Sequence, residues 1–528
     1  MKRIYLTLII LLLAMSGMAY LYFSRLNRES TYNEISLHAA TANSGLVFCI
    51  HNDKSIFEIL KGQDLFEKLL GEEKFKKLSL LKDLVISNSS VNSLIANRDV
   101  FISFSGKNKE INYLISTQLN GEPKKPVLTD ALQSGGIKLT EAGGIMKLSL
   151  NDSTLFYLGI EKNLVLLSGS EELVRTGLKG DTSAGSAEFI RFIKLNNKLG
   201  KNSVGNLFID YNKITSLIKA VLPGNLNGNN ALFNHQNSFA ALNYNFSRER
   251  LFFSGTTKIN TAGNYISLYA SMAPQKNTID NLLPANTANF RLYALPQYKL
   301  WRKALNTWFG LNKEDHAVRK IIENTDQTYR LDPEGIFPKY FKDQLITFQL
   351  RSSENLGAIN LSNGDKVKQL LIDISTDYDQ DIKQFKVSGL LYCYFGEPFK
   401  KFSKPYYTVI DNYMVFANSP ATLQDFLKFY RSNELLVSTS DYTDLYAQIS
   451  NTASVTFYVN HKNSTDIVRK NVYTPYYRHF TAEGGLGKFN SLIYQLNGAQ
   501  GDFQTNFLIN TLAENDNDII TDSLSIIK

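Results

Sequence analysis

The chain has 528 residues, 43% of them hydrophobic and 20% charged, with a formal net charge of +8. That length exceeds one ordinary hydrophobic core, and that balance excludes a largely disordered chain, so more than one packed unit is expected. Lys and Arg are interspersed with Asp and Glu over most of the length, which argues against a nucleic-acid-binding block, and the 28 Tyr and 33 Phe lean toward sheet.

In chain order, Ile4 to Phe23 is an apolar run in which only Thr7 and Ser16 are polar outside the Tyr hydroxyls. A helix over that run crosses a hydrocarbon layer of about 30 Å. Lys2 and Arg3 precede it, and Tyr20, Tyr22 and Phe23 end it where amphipathic rings gather. Residues 1–23 therefore read as an N-in signal anchor, a transmembrane helix with the bulk of the chain on the periplasmic, extracytoplasmic side. Two features weigh the other way: Gly17 and Ala19 would let a signal peptidase cut after Ala19, and Arg25 and Arg28 offset the charge asymmetry. No Cys follows the run, which excludes a lipoprotein anchor, and residues 24–43 read as a linker.

A first α+β repeat is expected over 44–270. "SGLVFCIHN" is a strand passing into an amphipathic helix that Ser55 and Glu58 start as a capping box, and "VFISFSG" is the next strand. "GGIMKLSL", "STLFYLGI" and "NLVLLSG" read as a three-stranded antiparallel meander, and a helix with Ser170 as its N-cap follows. A second helical stretch, a strand at Leu207, a helix and the strand pair "SFAALNYNF" and "RLFFSGTTK" complete it.

The polar stretch "MAPQKNTIDNLLPANTA" then leads to a second repeat expected over 284–512. Its "YTVIDNYMVFANSPATLQDFLKF" echoes "YLGIEKNLVLLSGSEELVRTGLK" at an offset of 250 residues, with Tyr407, Ile410, Val415 and Leu423 over Tyr157, Ile160, Val165 and Leu173. The same offset sets Phe489, Tyr494 and Phe503 over Phe239, Tyr244 and Phe253, and a duplication accounts for the shared order. Ser419 caps the second copy's helix, with Pro420 at the first helical position. The expected fold class is α+β: two tandem related lobes, each an antiparallel sheet of meander plus hairpin with helices on one face. Residues 513–528 read as a frayed acidic tail.

Most familiar chemistries are missing. Cys49 and Cys393, in the strand-like runs "GLVFCIHN" and "GLLYCYFG", supply neither a disulfide framework nor a paired metal motif, so no disulfide-linked partner is expected and both read as small buried side chains. Ser186 lacks the glycines of a nucleophile elbow, and "EGGLGKFN" has Ala482 and Phe489 where a phosphate loop needs Gly and Ser or Thr. No two of His38, His51, His235, His316, His461 and His479 stand at helical zinc spacing. Asp377, Asp379 and Asp381 alternate like a calcium loop, but Ile382 and Ser388 occupy the positions that need Gly and a bidentate carboxylate, which leaves a solvated hairpin or strand edge. Asp441 and Asp444 fall at a helix start, where the dipole favours carboxylates. No catalytic residue, metal or cofactor is expected.

Trp301, Ala304, Leu305 and Trp308 share one helical face, as core packing or as the wall of a ligand groove. The candidate binding residues are Tyr473, Tyr476, Tyr477, Arg478 and His479 in "VYTPYYRHF", which combine stacking faces with cationic donors of the kind enriched at interfaces. The alternative is that these rings cover the end of the second sheet. The first-copy counterpart, "LPGNLNGN", has no ring.

The opening anchor together with "SGLVFCIHNDKSIFEILKGQDLFEKLLGEEKF" resembles uncharacterised membrane-anchored cell-envelope proteins of the Bacteroidota that carry a long duplicated domain of unknown function. The resemblance implies an exported envelope protein and adds no site residues. The expected function is non-enzymatic: two related lobes, tethered to the membrane through residues 4–23, present surfaces to another protein or an envelope polymer. The alternatives are a hydrolase acting on envelope glycans through two carboxylates about 5 to 10 Å apart, and a lipid or small-molecule carrier with an apolar cavity.

Overall fold

The computed structural model describes residues 34–51 and most of 89–511, with a few isolated residues between 68 and 80. Residues 1–33, most of 52–88, short stretches between 122 and 262, and 512–528 lie outside the description. The anchor at 4–23, the capping box of Ser55 and Glu58, and the acidic tail therefore lie outside the described residues. Among those described, no helix is long and apolar enough to cross a membrane.

The chain forms two compact units. The strands of the first are β1 (Leu46–His51), β2 (Asp99–Lys107), β3 (Glu110–Gln118), β4 (Lys138–Ala142), β5 (Ile145–Ser149), β6 (Leu155–Glu161), β7 (Leu164–Ser168) and β8 (Ser203–Asp210). All pair antiparallel, in the order β8-β1-β2-β3-β7-β6-β5-β4. The meander expected at 143–169 is present as β5-β6-β7. Residues 34–41, expected within a linker, form a helix that buries Leu37, Ala39 and Ala40.

Helices on a single face were expected, and this is corrected in both units. In the first, Leu114 and Leu166 pack with Ala39 and Val174, from the helices Glu34–Thr41 and Glu171–Lys179. Leu167, next to Leu166 in β7, packs on the opposite face with Val91, Leu94, Leu128 and Leu132, from the helices Ser89–Ile95 and Lys125–Ser134. Strands apolar at successive positions, such as "LVLLS" in β7, are what a sheet covered on both sides requires.

The second unit contains β9 (Ser238–Asn245), β10 (Arg250–Ile259), β11 (Gln275–Lys276), β12 (Thr287–Ala294), β13 (Phe341–Leu350), β14 (Asn355–Leu361), β15 (Ser375–Asp377), β16 (Lys383–Phe385), β17 (Tyr406–Ile410), β18 (Tyr413–Ala417), β19 (Thr452–Ala453), β20 (Val455–Asn460), β21 (Phe489–Ala499) and β22 (Asp502–Thr511). Apart from the small pair β11-β19, they form one antiparallel sheet in the order β9-β10-β22-β21-β20-β12-β13-β14-β18-β17-β16-β15. Leu345, Ile359, Met414 and Phe416 face a core with Trp301, Leu305 and Phe395, whereas Ile346, Ala358 and Val415 face another with Leu423, Phe426 and Leu445. Trp301, Leu305 and Trp308 are thus core residues, and Ala304 is half-buried beside them.

By contact the second unit comprises residues 210–528 together with 62–75 and 201–203, and the hairpin β9-β10 belongs to it. There, Tyr244 of β9, Phe253 of β10, Phe507 of β22 and Tyr494 of β21 form one cross-strand row. Ring centroids are 5.0 Å apart for Tyr244 and Phe253, 5.9 Å for Phe253 and Phe507, and 6.3 Å for Phe507 and Tyr494. The sequence offset pairs Phe253 with Phe503, but the residue that stands across from Tyr494 as Phe253 stands across from Tyr244 is Phe507, because the second hairpin is longer.

Two local expectations are also corrected. "GLLYCYFG" is not a strand: Leu390–Phe395 is helical between Gly389 at φ 74° and Gly396 at φ 72°, and burial of five of its six side chains overrides their strand preference. Ser170 and Ser419 do occupy N-cap positions in extended backbone, but neither hydroxyl makes a capping hydrogen bond.

Candidate functional site

The aromatic cluster lies on a helix, Thr474–Thr481, with Pro475 in its first turn, where a missing N–H costs no helical hydrogen bond. The backbone enters through Tyr473, whose N–H donates to the Val221 carbonyl at 3.0 Å at the end of the helix Ile214–Val221. The Tyr476 and Tyr477 N–H groups both donate back to the Tyr473 carbonyl. None of the eight helical residues is buried.

Helical spacing divides the candidate residues. Tyr473, Tyr476, Tyr477 and Phe480 stand at i, i+3, i+4 and i+7 and are half-buried, as is His479, while Thr474, Pro475, Arg478 and Thr481 are exposed. The tyrosines thus lie partly on the protein and partly in solvent, and Arg478 is exposed. His479 is held from behind: a Cβ on Gly485 would come within 2.6 Å of its Nδ1, so only a glycine fits there. His461 stacks on Phe480 at 4.0 Å between ring centroids and, as Nε2–H, donates to the Phe480 carbonyl at 2.8 Å. Burial pushes the His461 pKa below its ordinary value, with the Phe480 carbonyl opposing the shift, so this support stays neutral near pH 7.

The other sequence candidates are structural. Asp379 Oδ1 accepts from the N–H groups of Asp381 and Ile382, Asp381 pairs with Arg431 at 2.8 Å, and Asp377 pairs with Lys383, which makes this stretch the hairpin loop between β15 and β16. Asp441 and Asp444 lie on the helix Ser440–Tyr446 on either side of the buried Tyr442. Among the described residues no group of three or more His, Cys, Asp and Glu is placed to hold a metal ion.

A second polar constellation, in the first unit, escaped the motif search. His51 at the end of β1 stands opposite Asp99 at the start of β2, with Nδ1 and Oδ1 2.8 Å apart. Asp99 Oδ2 accepts from Asn197 Nδ2 at 2.8 Å, and Asn197 Oδ1 accepts from Asn206 Nδ2 at 3.1 Å. An imidazole oriented by a carboxylate is suited to moving a proton, but the neighbouring thiol is no nucleophile. Burial pushes Cys49 far up, the Asp99 charge adds to the shift, and the Asn197 amide only partly offsets it. The signal available in the sequence was a polar residue bounding each of two apolar strands, which identifies a pair only once their register is known. Compared with protein-family models, with curated proteins and with solved structures, the chain gives no match.

Proposed function

We propose that this chain is a non-enzymatic cell-envelope protein, anchored by residues 4–23, whose two related α+β lobes present surfaces to another protein or an envelope polymer, and that the helix Thr474–Thr481 is its contact. One observation carries the reading: an eight-residue helix without a single buried side chain displays Tyr476, Tyr477 and Arg478 together. Rings half-seated on the protein lose little rotamer freedom on contact, and an exposed guanidinium beside them adds directional donors. The pairing orders β8-β1-β2-β3-β7-β6-β5-β4 and β20-β12-β13-β14-β18-β17-β16-β15 correspond strand for strand, which favours a duplication of one lobe.

The test is photo-crosslinking in intact cells, with the crosslinker at position 477 and a control at the exposed Lys320, after alkaline extraction has shown that the chain stays in the membrane fraction. A discrete adduct from position 477 only, lost on combining Tyr476→Ala with Arg478→Ala while the melting temperature moves by no more than the equivalent of about 1 kcal/mol, is the expected result. Equal adducts from both positions, or release of the chain by alkali, would overturn the reading.

A further inference from the structure

The helix Tyr298–Leu311 turns Tyr298, Trp301, Leu305, Trp308 and Phe309 into the core of the second unit. Along its outer side Leu300, Ala304, Thr307 and Leu311 stand at i, i+4, i+7 and i+11 and form one stripe, in which Leu300 is 54% and Leu311 57% exposed. Lys299 and Lys303 lie beside the stripe and Lys313 just past its end, all three exposed and without an ion pair among the described residues. Arg302, by contrast, turns inward to the Cys393 carbonyl and Glu334. Residues 281–313 contain no Asp or Glu, and the two carboxylates that follow are engaged: Glu314 by Lys400 at 2.8 Å and Asp315 by Arg319 at 2.6 Å.

We propose that the outer side of the helix Tyr298–Leu311 rests on the surface of an anionic lipid bilayer, with Leu300 and Leu311 entering the acyl boundary and Lys299, Lys303 and Lys313 among the lipid phosphates. The two leucines are about 16 Å apart along the helix axis, so both reach the boundary only if the helix lies in the plane of the membrane. Lysine suits that position, because its apolar stem can follow the leucines into the boundary while the ammonium stays at the level of the phosphates. Neither signal holds alone: two leucines bury little area, and three lysines act only within a Debye length of the surface, so the pairing of the two carries the contact.

The composition of this side favours lipid over protein as the occupant. Its exposed residues include no aromatic ring and no Arg, the side chains that anchor protein contacts, and Lys is a residue that protein interfaces avoid. A bilayer requires no pocket and no matched shape, only basic charge beside an exposed apolar stripe with no carboxylate to oppose it. The contact is independent of residues 4–23 and of the helix Thr474–Thr481, and it makes the second unit a peripheral membrane element in its own right.

The test reconstitutes the full chain with phosphatidylcholine vesicles, with or without about one-third phosphatidylglycerol, and places a photoreactive side chain at position 300. The control is position 425, exposed on the helix Pro420–Arg431, which packs on the opposite face of the sheet. Lipid adducts are expected from position 300 and not from 425, at least about fivefold more abundant with the anionic lipid, and lost as sodium chloride rises from about 0.05 to about 0.5 M. Combining Lys299→Gln, Lys303→Gln and Lys313→Gln, all exposed changes of small cost to folding, should bring the yield down to that of neutral vesicles. Because the adduct is read at one position, the result does not depend on whether residues 4–23 span the bilayer. No adduct from position 300, equal yields with and without anionic lipid, equal yields from 300 and 425, or an unchanged yield in the triple variant would each overturn the proposal. Binding of poly-glutamate by a face that ignores anionic vesicles would assign it to an acidic protein instead and overturn it as well.

Discussion

Asp280 is 5% exposed, and its Oδ2 accepts the Tyr442 hydroxyl proton at 2.6 Å, which ties the 3-10 turn Ile279–Leu282 to the helix Ser440–Tyr446. Burial pushes its pKa above the ordinary carboxylate value, with the Tyr442 hydroxyl and the backbone N–H groups of Asp280 and Asn281 opposing that push. A raised folded-state pKa means that the native protein holds the proton more tightly than the unfolded chain. The contribution to stability is therefore full below the ordinary carboxylate pKa and is lost as pH rises through the folded value. Asp280→Asn keeps an acceptor for Tyr442 and never ionises, so it should melt above the wild type at pH 8, with the gap closing toward pH 4. Tyr442→Phe strips a buried carboxylate of its donor and should cost about 1.5 to 3 kcal/mol at pH 8, and less in acid. Thermal melts of the three proteins across that pH range check both statements, and an unvarying Asn gap would contradict the assignment to Asp280. None of this was legible in the sequence, where "NTIDNL" is a polar stretch between repeats: a residue 162 positions away supplies the hydroxyl.

At the scale of elements, the sequence was most legible where a segment is long and its pattern local. The meander β5-β6-β7, the hairpins β9-β10 and β21-β22, and the helix Tyr298–Leu311 with its buried tryptophans stand where their periodicity places them. It was least legible in short runs of aromatic residues, since "LLYCYF" and "TPYYRHF" carry strand-like composition but are too short for period to decide. Packing decides the first: a Cβ on Gly396 would lie 2.7 Å from Tyr265 Cε2 and 2.9 Å from Leu305 Cδ1, while φ of 72° suits only glycine without strain. Gly396→Ala should therefore cost about 2 to 4 kcal/mol, strain and overpacking together. Gly310→Ala, where nothing lies within 4 Å of the new methyl group in the helix Tyr298–Leu311, should be neutral or slightly stabilising. Denaturant melts that rank the two variants the other way would place the helix Leu390–Phe395 wrongly. The candidate site was legible as a composition, five recognition-prone residues in seven positions, but not as a helix that half-buries its rings and leaves Arg478 exposed.

For the whole molecule, the expectation of where one repeat ends and the next begins determines which pieces can fold alone. A cut in 271–283 looks harmless in the sequence, because the stretch is polar and carries Pro274 and Pro284. In the second unit, however, β10 pairs with β22 through eight residue pairs, from Arg250 with Asn510 to Thr257 with Phe503, and Thr257 Oγ1 lies 2.7 Å from Thr505 Oγ1. Tyr211, also ahead of that cut, shares a hydrogen bond of 2.8 Å with the buried Tyr494 hydroxyl. A fragment of residues 284–512 would thus expose the whole outer edge of β22 and strip Phe507 and Tyr494 of their neighbours, and a long uncovered edge strand invites pairing with any other chain. That fragment should elute from a sizing column as dimers or larger aggregates, and to a greater extent than residues 210–512, which retain β9 and β10. Co-expressing residues 205–262 with the short fragment should restore a soluble one-to-one complex, because the missing hairpin can seat on β22 as it does in the intact chain. A monomeric, fully stable 284–512 would mean that the β10-β22 contact contributes little to the second unit.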